Sequence, residues 1–354
     1  MSTTIKTALG EFEKEKFEAL LDIRHAALEG IRGYFHKDGG IPREVTTSSL
    51  VNIAGSCENP HASFKVNYYG REAHLSQSAQ LQLEALVLRF QKPFFTVNNS
   101  FREEHYDDPE AQGRRLSEFT LVENEFPLYI GASPDDAMNH LIKEERKLVS
   151  HVISDVIHEW SNNISRIKLL GGDVKRLGRL TRAGQECFQT ITYDSALELL
   201  NRQEGSYKFG DDLGIKEERR ILKNFDNFPV FITHFPASLK FFNLKRTPDG
   251  LRTYSADLLL PPLGETIGGG VREENGEVIK KQFLESKVAA FLLEKGQNPL
   301  APFQEYFSIF EQEEPLIRGG YGIGFERFVG FLLNSNDILD TIAYRTLQPE
   351  GGSA

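Results

Sequence analysis

Gly320-Tyr321-Gly322-Ile323-Gly324-Phe325-Glu326-Arg327-Phe328 is the stretch on which the fold turns. It reads as a glycine-bearing strand feeding directly into a helix, the two straddling Gly322 to Leu333, with Arg327 at the helix start. Roughly two hundred residues earlier stands a second arginine-bearing segment, Phe101-Arg102-Glu103-Glu104. A polar, Asp-containing loop from His105 to Gly113 carries it into Arg114-Arg115-Leu116-Ser117-Glu118-Phe119. Between the two lies Asp257-Leu258-Leu259-Leu260-Pro261-Pro262-Leu263-Gly264-Glu265, followed by Thr266-Ile267-Gly268-Gly269-Gly270-Val271-Arg272-Glu273. Arg102 and Glu104 are two residues apart, so a strand points both to one face. By themselves they could equally be an ion pair on an exposed strand.

The chain around these segments has 354 residues, 40% hydrophobic, with 26 phenylalanines, enough for a substantial core. Its apolar runs are short and broken by charge, so none reads as a membrane span. The opening Met1-Ser2-Thr3-Thr4-Ile5-Lys6 lacks a signal-peptide apolar core. Two cysteines, Cys57 and Cys187, lie far apart without a Cys-x-x-Cys partner, which fits a reducing cytoplasm and argues against a zinc site. A net charge of -10 supplies no global attraction to nucleic acid.

Periodicity predicts a helix from about Glu11 to Phe35, with Phe17, Leu20, Leu21, Leu28, Ile31 and Phe35 on its apolar face and Gly39-Gly40 ending it. Short β-like runs follow from Val45 to Phe101, including Phe64 to Tyr69, around one helix near Ala79–Phe90. Ser133-Pro134-Asp135-Asp136 is a strong helix start, and Met138, Leu141, Leu148, Val152, Val156 and Trp160 continue its stripe. Residues 165–218 are polar and read as an irregular insertion or lid. Strands return at Pro229–Thr233 and Ala256–Leu260. This order predicts an α+β fold, an antiparallel sheet flanked by helices, in a single domain spanning 1–354.

Activating a carboxylate with ATP brings an anion to an anionic phosphate, so the site must neutralise charge and hold the reacting atoms in line. Arginine grips phosphate oxygens through two bonds. Magnesium takes carboxylate oxygens, with water and phosphate completing its shell. The three segments contain these residue types.

The Arg102 and Arg327 segments resemble motifs 2 and 3 of the class II aminoacyl-tRNA synthetases. The stretch from Asp257 to Arg272 resembles that of the aspartyl/asparaginyl subgroup. The likeness runs from about Leu20 to Pro349. It implies an ATP-dependent, AMP-forming ligase in which Arg102 and Arg327 are catalytic. Arg102 would hold the α-phosphate and substrate carboxylate, Glu104 the adenine amino group, Arg115 and Arg327 the terminal phosphate. Asp257 and Glu265 would bind Mg2+. Ser56-Cys57-Glu58 resembles the stretch whose glutamate binds the substrate amino group, which assigns that task to Glu58. Leu75-Ser76-Gln77-Ser78-Ala79-Gln80-Leu81-Gln82-Leu83-Glu84 resembles asparaginyl enzymes. Ser78 and Gln80 would then line the amino-acid pocket, and Arg272 would read the substrate side chain. Aspartyl enzymes have a lysine where this chain has Leu83, and its loss favours asparagine over aspartate.

Several positions depart from that pattern. Arg115 replaces a histidine, Ile317-Arg318 replaces a proline-histidine pair, and an upstream arginine is replaced within Glu311-Gln312-Glu313-Glu314. Motif 1, around Ile31 to Ser48, lacks a proline near Thr47. The core begins almost at Met1, so an N-terminal anticodon-binding domain is not expected. The resulting expectation is an enzyme that adenylates asparagine or a relative and transfers it to a non-tRNA acceptor such as an amine, ammonia or a carrier. A cytoplasmic homodimer is implied, and tRNA is not the expected partner. The alternatives are an ammonia-dependent asparagine synthetase acting on aspartate, an asparaginyl-tRNA synthetase, and a non-catalytic regulatory paralogue.

Overall fold

The computed structural model describes residues 4–7, 10–36, 42–56, 59–104, 113–128, 133–158, 162–182, 187–202 and 205–343. Eight strands form the main sheet. In chain order they are β1 Arg43–Glu44, β2 Phe94–Phe101, β3 Glu118–Pro127, β4 Gln189–Thr192, β5 Val230–Thr233, β6 Ser255–Leu260, β7 Gly264–Arg272 and β8 Arg318–Gly324. Their order across the sheet is 1-2-3-8-7-6-5-4. The six central strands pair antiparallel, while β1 with β2 and β4 with β5 pair parallel at the two edges. The longer helices are α1 Lys14–His36, α2 Gln80–Phe90, α3 Pro134–His158, α4 Asn163–Leu169, α5 Val174–Arg182, α6 Tyr193–Asn201, α7 Ile215–Asn224, α8 Gly276–Leu284, α9 Lys287–Glu294, α10 Gln304–Gln312 and α11 Phe325–Leu333. This is the α+β arrangement that the order of segments predicts.

The sheet buries one face and opens the other, and its two-residue period explains why. Val122 and Phe126 of β3, Ala256, Leu258 and Leu260 of β6, and Tyr321 and Ile323 of β8 point backward. They meet the apolar stripes of α1, α3 and α11 in the largest core. α3 starts as its sequence dictates: the Ser133 hydroxyl accepts from the Asp136 amide at 3.1 Å, and the Asp136 carboxylate accepts from the Ser133 amide at 3.2 Å. α1 turns Leu20, Ile23, Ala27 and Ile31 inward, whereas Leu21, expected on that face, is 41% exposed. Gly39-Gly40 and Trp160 lie outside the described residues.

Residues 165–218 are not irregular where they are described. They contain most of α4, all of α5, β4 and α6, and the first turn of α7. Leu177, Leu180, Tyr193, Leu197, Leu200 and Leu213 are buried there. The polar residues that suggested a lid lie on the outer faces of short helices, where a window of charge hides a narrow apolar stripe. Among the described residues no helix is long and apolar enough to cross a membrane.

Candidate active site

The open face of the sheet floors a cavity of about 870 Å³. Two adjacent cross-strand rows run across that face, the first on the cavity floor and the second mostly covered, by Leu244 over Gly270 and by Glu125 over Gly320. Asp257, Gly268, Gly322 and Glu123 form one, and Ser255, Gly270, Gly320 and Glu125 the other. Each row has bare backbone in the middle and a polar side chain at either end. Close approach requires glycine in the second row: a Cβ on Gly320 would lie 2.1 Å from the Glu125 carboxyl carbon, and one on Gly270 2.8 Å from Leu244 Cδ2.

At one end three arginines converge. The Arg102 amide donates to the Ser117 carbonyl at 2.9 Å, which ties the segment after β2 to the turn before β3. Arg327 sits in the first turn of α11. Its neighbour Glu326 is buried, accepts from the Thr120 amide at 2.9 Å and pairs with Arg24 at 3.1 Å. That anchorage fixes the helix start and leaves Arg327 to line the cavity, where its Nη1 donates to the Glu265 carbonyl at 2.5 Å. Burial, then the neighbouring Arg114, lowers the Arg327 guanidinium to about 10. A buried cation depressed by another cation marks a place that an anion would stabilise.

Glu265 and Asp257 face this end. Burial raises Glu265, yet Lys240, Arg327, Arg114 and Arg102 together carry it below the ordinary carboxylate value. Asp257 is pushed up to about 7, first by burial, although Lys240 bonds its Oδ2. Their carboxylates converge above Gly268. The point a Cβ would occupy there is 3.2 Å from Glu265 Oε1 and 3.6 Å from Asp257 Oδ1. Asp257 Oδ1 is buried and has no hydrogen-bond partner among the described residues. Two converging carboxylates with an unused buried oxygen suit a small, oxygen-seeking cation.

Glu104 and Arg115 line the same cavity and pair at 3.4 Å. Sequence reasoning missed Arg114 and Glu218, which pair at 2.7 Å beside Arg327. Burial pushes Glu218 up to about 7. Arg114 adjoins a recognised motif and was within reach, but Glu218 comes from α7, at the edge of the supposed lid, and has no local signal. Lys240, also missed, stands beside the carboxylate pair.

The other end holds Ser78, Gln80, Glu123, Glu125 and Arg272. Glu123 receives the Ser78 hydroxyl at 2.5 Å and the Ala79 amide at 2.7 Å. Arg272 grips Glu125, with Nε 3.1 Å from Oε1, and burial pushes Glu125 up to about 7. Leu83 is not here. It is fully buried against Val87, Leu88, Phe94 and Leu316, because α2 turns Gln80 to the cavity and rotates residue 83 about 60° from Gln80 and about 100° from Glu84. The preference drawn from Leu83 therefore loses its basis. Glu84 and Arg318 pair directly behind Arg272, so this end has two arginines where one was expected. Glu58, expected at the substrate amino group, lies outside the described residues.

An antiparallel sheet with a glycine-floored cavity, an arginine in the strand-to-helix turn and facing carboxylates defines an ATP-using ligase of the class II synthetase type. The family described as tRNA synthetases class II (D, K and N) matches residues 1–348, and the chain belongs to it. The members of this family are ATP-dependent ligases that form aminoacyl-adenylates. The asparagine–tRNA ligase of Lactobacillus johnsonii is 30% identical over 332 residues, covering 93% of this chain and 69% of the relative. The cytoplasmic enzyme of Saccharomyces cerevisiae is 29% identical, covering 93% of this chain and 54% of its own length. Asparaginyl-tRNA synthetase of Pyrococcus horikoshii, solved with asparaginyl-adenylate, superposes with a TM-score of 0.77 at 27% identity. That match covers 93% of this chain and 68% of the other. These relatives, named as tRNA ligases, overturn the expectation of a non-tRNA acceptor and of tRNA as an unexpected partner.

Proposed function

We propose that this protein is an asparaginyl-tRNA synthetase in its reaction. A carboxylate oxygen of asparagine attacks the α-phosphorus of ATP and pyrophosphate leaves. A ribose hydroxyl at the tRNA end then attacks the acyl carbonyl and AMP leaves. The observation that carries this reading is one cavity with an anion-seeking end and a charge-compensated polar end, joined by a floor of glycine backbone.

In this reading Arg102, Arg114 and Arg327 neutralise the phosphates, Arg115 reaches the terminal phosphate, and Glu104 accepts from the adenine amino group. Asp257 and Glu265 hold Mg2+, which when bound screens the phosphate charge and orients the leaving pyrophosphate. Ser78, Gln80 and Arg272 position asparagine. Its neutral side chain fits an end where each arginine already has a glutamate. The family likeness also supports a homodimer and a cytoplasmic setting.

ATP–pyrophosphate exchange with asparagine or aspartate, followed by charging of asparagine tRNA, tests this. Asparagine-dependent exchange that stops on chelation and resumes with Mg2+, together with tRNA charging, is expected. Exchange with aspartate alone, or with neither, would sink the reading.

A further inference from the structure

Arg272 and Arg318 are directly opposed neighbours on β7 and β8, and the strand period puts both on the open face of the sheet. Like charges placed so destabilise a sheet unless something separates them. Here each has its own carboxylate: Glu125 takes Arg272, and Glu84 takes Arg318 through Nε at 3.2 Å and Nη2 at 2.5 Å. The Arg318 Nη1 donates to the Glu273 carbonyl at 2.9 Å, and its guanidinium lies 5.1 Å from the Phe310 ring centre. Arg318 and Glu84 are both fully buried, so the pair forms a layer behind the cavity wall. Glu84 also accepts from Tyr306 at 3.1 Å, from Gln80 at 3.3 Å and from Asn243. Arg272 Nε is 3.9 Å from Glu84 Oε1, close enough for Glu84 to compete for Arg272.

We propose that Arg318 is a positioning residue for amino-acid selection, occupying Glu84 so that Arg272 stays turned to the cavity with Glu125 as its partner. The inference rests on the asparagine reading of the pocket. Without Arg318, Glu84 is an unbalanced buried anion that draws Arg272 away and repels a carboxylate substrate. Without Glu84, Arg318 is an unbalanced cation that welcomes one.

The test is exchange kinetics of the full chain and of Arg318→Met, Glu84→Gln and the double variant, with asparagine, aspartate and ATP varied in turn. Arg318→Met should raise the asparagine KM about tenfold or more, with the ATP KM changed less than about twofold. Glu84→Gln should move the aspartate-to-asparagine preference toward aspartate by about tenfold, the opposite sign to Arg318→Met. The double variant, neutral again, should return within about threefold of the parent. A purely structural pair would lower thermal stability in all three without opposed selectivity shifts, and that result would overturn the proposal. Should Arg318→Met fail to fold, Glu84→Gln and the double variant still decide it: unchanged selectivity in both refutes it. Absence of asparagine-dependent exchange in the parent would instead remove the functional reading itself.

Discussion

At one end of the cavity Arg102, Arg114 and Arg327 cluster around Glu218 and Glu265. At the opposite end Arg272 and Arg318 are each matched by a buried glutamate. The first end holds Arg327 at about 10, with a backbone carbonyl as a hydrogen-bond partner and a second arginine nearby. The second raises both of its arginines above their ordinary value: burial opposes this, but Glu125 and Glu84 outweigh it. In the proposed reading one end receives the negative charges of ATP and the other judges a side chain among arginines that already have glutamate partners. Selectivity at a neutral end comes from the cost of leaving a buried charge unmatched rather than from attraction.

Arg327→Ala should produce the largest effect, a loss of exchange on the order of a thousandfold or about 4 kcal/mol, with the ATP step affected far more than asparagine binding. An asparagine KM that moved more than the ATP KM would reverse the two ends. Leu83→Lys comes next. An ammonium placed in the α2 core should cost about 3–5 kcal/mol of stability, read by denaturant unfolding, without a gain in aspartate use. A stable variant that preferred aspartate would mean that position 83 faces the pocket after all.

The smallest effect is a pH slope. Burial lifts Glu125 from 4.5 to about 7 in the folded state, so its contribution is fully present below pH 4.5 and is lost as pH rises through 7. Stability should fall over that window, and Glu218 and Asp257, raised in the same direction, add to the fall. Glu125→Gln should make the slope shallower by about 1.4 kcal/mol per pH unit, measured by unfolding at pH 5 to 7. An unchanged slope would show that Arg272 keeps Glu125 ionised throughout, and the compensated end would then be a permanent ion pair.

Much of the first end was legible in the chain. Arg102, Glu104, Glu265 and Arg327 lie in short recognisable segments, and the structure brings all four to one cavity with Asp257, although β2 ends at Phe101, so Arg102 and Glu104 follow the strand instead of lying on it as expected. The second end was less legible. Leu83 was placed at the pocket because a linear motif was read without its helical phase, which a turn of about 100° per residue decides. Glu84 and Arg318 are 234 residues apart, and Glu125 and Arg272 are 147 apart. No local pattern pairs residues at such separations. Glu218 was hidden for the same reason, since α7 carries it to Arg114 across 104 residues.

By itself, then, the chain determined the α+β order of elements, the strand-to-helix turn at Arg327, the glycine run and the carboxylates Asp257 and Glu265. The order of elements follows from residue type and a two- or four-residue period, which are local properties of the backbone, and the site segments were legible through their resemblance to a known family. Only the tertiary structure decided which charges compensate one another at the amino-acid end, that Leu83 belongs to the core, and that ordered helices fill 165–218. Those outcomes depend on burial, which raises the cost of an unmatched charge, and burial is set by distant segments packing together.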